Sequence, residues 1–137
     1  MPSLPLVAHI SPVPPLPVLL GVASGGALGS LLRFAVGRAL PSAPAALPWS
    51  TLGINVLGSF ALGLLTGASL ARPDASPALR AFLGVGLLGG FTTFSAFSVE
   101  TISLAHSASF AKAGLYILLS VLLAIAAAGL GLFLTRP

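Results

Sequence analysis

Two pairs of polar side chains share a helical face at four-residue spacing, Thr51 with Asn55 and Tyr116 with Ser120. A third group, Thr92, Thr93, Ser95 and Ser98, crowds around Phe94 and Phe97, which stand three residues apart. All of them lie in long apolar runs. There a polar side chain is costly and marks a helix contact or a functional site. A lone hydroxyl in such a run usually bonds back to its own helix, and paired phenylalanines usually pack a core. Asn55 is different, because its amide offers four hydrogen-bonding positions and its own helix cannot fill them. Amide and hydroxyl protons suit an anion that has shed water, and the edge of a phenylalanine ring carries the positive part of its quadrupole. Neutral donors also release an ion more readily than fixed cations do. The pattern points to a path for a small anion.

Other chemistries lack their residues. The carboxylates are Asp74 and Glu100, the histidines are His9 in the N-terminal tail and His106 in a loop, and cysteine is absent. No nucleophile–base pair or metal cluster can be assembled from these, so an enzyme is not expected. Proton-coupled transport needs a titratable group near the membrane midplane. Glu100 falls toward the end of its run, as Arg33 does on the first.

The elements that must position these residues are membrane helices. Of 137 residues, 56% are hydrophobic and 6% charged, with a mean hydropathy of +1.09. A soluble domain of this size needs more charge to wet its surface. The fold class is therefore an all-α membrane protein, in one domain. Four runs, at about 18–39, 51–71, 80–105 and 113–134, are each near the roughly 20 residues that cross about 30 Å of hydrocarbon. Residues 1–17 hold six prolines and no Lys or Arg, which reads as a disordered tail and not as a cleaved signal peptide. Pro41, Pro44 and Pro48 break the chain before Trp49, and Ser76-Pro77 suits a helix start. Small residues recur every four positions at Gly21, Gly25 and Gly29, and again at Ser59, Gly63 and Gly67. In lipid such faces let helix backbones approach closely.

Short connectors make consecutive helices antiparallel. One membrane side then carries Arg72, Arg80 and Arg136, the other Arg33, Arg38 and Lys112. Six scattered cations are too few for a nucleic-acid surface. The three-to-three balance gives no signal for orientation, which normally follows a Lys/Arg excess on one side. Both orientations are expected, and with them a dimer of opposed copies.

The segments "GALGSLLRF" (26–34), "STLGINVLGSFALG" (50–63) and "GLLGGFTTFSAFSVET" (86–101) resemble the Fluc/CrcB family of fluoride channels. The likeness covers the four-helix region and leaves out the tail. It implies an antiparallel, dual-topology homodimer in the cell membrane, with a break in the third helix and two pores that export fluoride passively. By position, Phe94 and Phe97 match the family's pore phenylalanines, Asn55 its pore asparagine and Thr51 the threonine one turn earlier. Ser95 falls within the same pore motif. Tyr116 and Ser120 resemble the fourth-helix polar track, which Ala124 shortens by a hydroxyl. Arg33 matches an arginine near the pore entrance, and Glu100 the acid after the motif. Gly89 and Thr92 match positions whose backbone carbonyls hold a structural sodium ion at the dimer centre. Ser50 departs from the pattern, which more often has glycine there. The leading alternative is a small drug exporter of the small multidrug resistance type. That class depends on a carboxylate in its first helix, and residues 18–39 contain none. A membrane scaffold that transports nothing leaves Asn55 unexplained.

Overall fold

A computed structural model describes residues 13–136, except 44, 72–73 and 108. All regular elements among the described residues are helices: α1 (Leu16–Ala39), α2 (Trp49–Ala71), α3 (Pro77–Arg80), a π-helical segment (Ala81–Leu88), α4 (Gly89–Phe91), α5 (Phe94–Ser107) and α6 (Phe110–Thr135). Elements α3 to α5 form one crossing, so the helices long and apolar enough to span a membrane number four among the described residues. His9, Pro44 and Arg72 lie outside those residues, as does most of the proline-rich tail.

The spans are longer than their apolar cores. The expected tail, 1–17, gives up its last two residues to α1, because Pro17 fits a first helical turn where its missing N–H costs nothing. Trp49 opens α2 instead of closing the loop before it. Ser76 precedes α3 and Pro77 begins it, but the Ser76 side chain makes no cap bond. The third connector has the working cap: Ser109 accepts the Lys112 amide at 3.1 Å and starts α6.

Helix α1 packs along α3, the π-helical segment and α4, while α2 packs along α6. Both small-residue faces serve these contacts. A Cβ at Gly25 or Gly29 would collide with the Phe82 and Leu87 carbonyls, and one at Gly63 with the carbonyl of Ala128. Only hydrogen fits where two backbones meet. Gly29→Leu is therefore expected to lower stability by roughly 1–3 kcal/mol, the usual cost of overpacking. Thermal unfolding of the purified protein checks this, with Gly37→Ala, which meets nothing within 4 Å, as the control that loses no stability.

The third crossing changes partners halfway. Its first half lies on α1, and its second half, α5, lies on α6. A straight helix cannot do both, so the chain breaks at Thr92 and Thr93. Irregular backbone is tolerated at membrane depth only where protein satisfies it or a cavity is lined by it.

Candidate functional site

Three side chains or amides satisfy the break from outside the helical pattern. In an unbroken helix each carbonyl accepts the amide four residues on. For Gly89 that donor is Thr93, whose amide instead donates to Asn55 Oδ1 at 2.8 Å. Asn55 Nδ2 donates in turn to the Thr93 carbonyl at 3.0 Å, so one amide side chain grips both backbone groups of one residue. For Gly90 the donor would be Phe94, and the carbonyl accepts Arg33 Nε at 3.1 Å. For Thr92 the donor is Ala96, whose amide donates to Thr93 Oγ1 at 3.1 Å. The diversion thus falls on the carbonyls of Gly89 and Thr92. Thr92's own hydroxyl donates back to Leu88 at 2.9 Å, and its methyl fills the notch at Gly58.

Beyond the break, α5 turns one face toward α6. Phe97 is buried, with its ring centroid 5.3 Å from that of Phe94 on one side and 5.3 Å from Tyr116 on the other. Both pairs are tilted, at 45° and 47°, which sets ring edges toward neighbouring faces. Phe94 itself is 78% exposed. Ser95 is also exposed, with its hydroxyl 3.2 Å from that of Thr93.

One turn further along α5, Glu100 gathers the remaining polar residues. Thr51 Oγ1 donates to its Oε1 and the Tyr116 hydroxyl to its Oε2, each at 2.7 Å. Thr51 and Tyr116 are buried, so the carboxylate satisfies two hydroxyls that have no water. Ser120, one turn along α6 from Tyr116, is buried, with its hydroxyl beside that of Tyr116. It lines a cavity of about 170 Å³ with Asn55, Phe94, Phe97 and Ala124. On the other side of the carboxylate, a second cavity of about 250 Å³ is lined by Glu100, Ser42, Ser50, Ser103 and Ser107. Its wall includes the α1–α2 loop, where Ala45 adopts a left-handed conformation (φ 61°) and its carbonyl accepts Lys112 Nζ at 3.2 Å. Ser120, Tyr116, Glu100 and Thr51 therefore form a polar line between two cavities.

The structure brings Asn55, Phe94, Phe97 and Ser120 to one cavity and Thr51 and Tyr116 to one carboxylate. It sets Arg33, Gly89 and Thr92 at the break. Ser24, Thr66, Ser98 and Thr101 bond back to their own helices, as expected of lone hydroxyls. Composition and spacing missed two residues. Glu100 looked peripheral by its place in the run, although it lies three residues past Phe97 on the same face. Thr93 looked like one more hydroxyl, although it directly precedes a helix start.

A model of the CrcB-like protein family (Camphor Resistance, CrcB) matches residues 20–132. The chain is 47% identical over 133 residues to a protein of Erythrobacter litoralis named "Fluoride-specific ion channel FluC", covering 93% of this chain and 98% of that one. Proteins of the same name from Hyphomonas neptunium and Idiomarina loihiensis are 48% and 50% identical, over 84% and 77% of this chain and 92% and 82% of theirs.

Proposed function

Because the chain belongs to the CrcB-like protein family, we propose that it is a fluoride-specific channel, carrying the ion passively out of the cell through an antiparallel pair of copies. It is a multi-pass integral membrane protein. The observation that carries the reading is the cavity that Asn55, Ser120 and the Phe94 and Phe97 rings line without a charged side chain. Its amide and hydroxyl are neutral donors, and fluoride is the small anion that gains most from a proton donor.

Along the path, fluoride exchanges part of its water for the Ser120 hydroxyl, the Asn55 N–H not held by Thr93, and the edge of Phe97. It next meets Tyr116 and Thr51. Their protons point at Glu100 in the resting arrangement, so they must turn from the carboxylate to serve an anion. The serine-lined cavity beyond restores a hydration shell. Arg33 reads here as a support for the break as much as an entrance charge, since its Nε is committed to Gly90.

The exposed Phe94 and Gly89, with the three-to-three division of cations, support a second, inverted copy enclosing this face. The carbonyls of Gly89 and Thr92 fit a sodium ion, because hard cations take oxygen ligands and the amides that would occupy them are diverted. Such an ion supplies positive charge that neutralises unpaired carbonyls where the copies meet. Thr92→Val, which keeps carbonyl and shape, is expected to retain it.

The test is efflux from liposomes loaded with fluoride or chloride. Fluoride release that chloride does not match supports the reading, and equal permeability or no release refutes it. Topology is tested separately. Reporters at the C-terminus should appear on both membrane faces, and two lysines added beside Arg136 should confine that end to the cytoplasm. Such a biased variant should lose activity alone and recover it with a partner biased the other way.

A further inference from the structure

We propose that Thr93 is a positioning residue for the permeation path: its hydroxyl caps α5 and thereby fixes the rotation at which Phe94 and Phe97 leave the break. The proposal rests on the channel reading above. Every hydrogen-bonding group of Thr93 is engaged. Its amide and carbonyl are held by Asn55, at 2.8 and 3.0 Å, and its Oγ1 accepts the Ala96 amide at 3.1 Å. The last bond joins the residue before the helix to the third residue within it, which is where an N-cap satisfies an orphan donor.

The position makes this cap more than a local stabiliser. Phe94 is the first residue of α5 and Phe97 the fourth, so both rings lie in the turn that the cap sets. Without an acceptor at Oγ1, the Ala96 amide has a competing partner in the Thr92 carbonyl, four residues back. Pairing there extends α5 backward by one residue and rotates its first turn. The tilted contact of Phe97 with Tyr116 and the cavity shared with Asn55 and Ser120 both depend on that turn. Asn55 fixes where the backbone of the break sits, and Thr93 fixes the angle at which α5 starts from it. Asn55 acts on the Thr93 backbone, and the Thr93 hydroxyl acts on the Ala96 amide.

The prediction separates the hydroxyl from bulk. Thr93→Val keeps shape and both backbone groups but removes the acceptor, and should slow fluoride efflux by roughly tenfold, the equilibrium value of a typical lost cap. It should also lower the fluoride-over-chloride permeability ratio, because misaligned rings admit the ion less selectively. Thr93→Ser and Thr93→Asn restore a capping oxygen without the same shape, and should stay within about twofold of the unmodified rate. Efflux is measured per correctly inserted protein in liposomes. Valine equal to the unmodified protein in rate and selectivity overturns the proposal. So does serine as impaired as valine, since the oxygen is then irrelevant. If the valine protein cannot be recovered, Thr93→Ala against Thr93→Ser decides by the same comparison. Absence of fluoride efflux from the unmodified protein refutes the channel reading itself, and is thereby distinguished from failure of the cap.

Discussion

Asn55→Leu is expected to reduce fluoride flux about a hundredfold, from the loss of two hydrogen bonds worth roughly 2–3 kcal/mol together. Leucine keeps the branched four-heavy-atom skeleton of asparagine, though it is bulkier, and has neither donor nor acceptor. The Thr93 amide and carbonyl, gripped at 2.8 and 3.0 Å in the unmodified protein, then face hydrocarbon unpaired. An unsatisfied backbone group there costs several kcal/mol, so the chain has a strong incentive to rearrange. The nearest remedy is for Thr93 to donate to Gly89 and continue the helix across the break. That closes one free carbonyl and swings α5 off α6. Asn55→Asp separates the two functions of the amide, since the carboxylate accepts from the Thr93 amide but cannot donate to its carbonyl. It should fall between leucine and asparagine in retention of fold, while its charge repels fluoride. Liposome efflux of each purified variant is the measurement. Flux through the leucine variant at the unmodified rate would mean that the break persists without its clamp.

Glu100→Leu should be the most damaging substitution for stability, at about 2–5 kcal/mol, because it strands two hydroxyls at once. Thr51 and Tyr116 are 6% and 0% exposed, so water cannot replace the lost acceptor. The control is the double variant Glu100→Leu with Tyr116→Phe. Removing the Tyr116 hydroxyl as well leaves only that of Thr51 without its acceptor, so the double variant should regain part of the lost stability. Glu100→Gln keeps one oxygen acceptor and introduces an N–H2, so one of the two hydroxyls must reorient, and the loss should be smaller. Thermal unfolding compares the three. If the leucine variant and its double are equally unstable, Tyr116 does not depend on the carboxylate.

Much of this architecture was legible in the residues. Four apolar runs announced four crossings, and the small-residue spacings at Gly25–Gly29 and Gly63–Gly67 announced which faces meet closely. Asn55 was legible because an amide has more hydrogen-bonding capacity than one helix supplies. What it bonds to was not, since Thr93 lies 38 residues away and its backbone carries no side-chain signature. Glu100 was misread by position along the helix, when direction around it mattered. A carboxylate near a helix end still reaches inward if it shares the face of Phe97. The π-helical segment over Ala81–Leu88 was invisible for another reason. Wide turns arise where neighbours demand them, here the α1 backbone against Phe82 and Leu87, and no local propensity encodes that demand.

The supports of the break have a direction in time. A ribosome makes this chain from α1 onward, and the groups that hold the break, Arg33 and Asn55, stand 57 and 38 residues upstream of their targets. When Gly90 and Thr93 enter the membrane, both partners are already there. The interruption in the third crossing need not be carved out of a finished helix, because it can be caught as it arrives. The Phe97 ring contact and one of the two Glu100 bonds must instead wait for Tyr116, which follows Glu100 by 16 residues. Manufacture therefore sets the backbone of the site before it completes the side-chain lining, and a ribosome halted after α5 would leave a bent crossing without a channel.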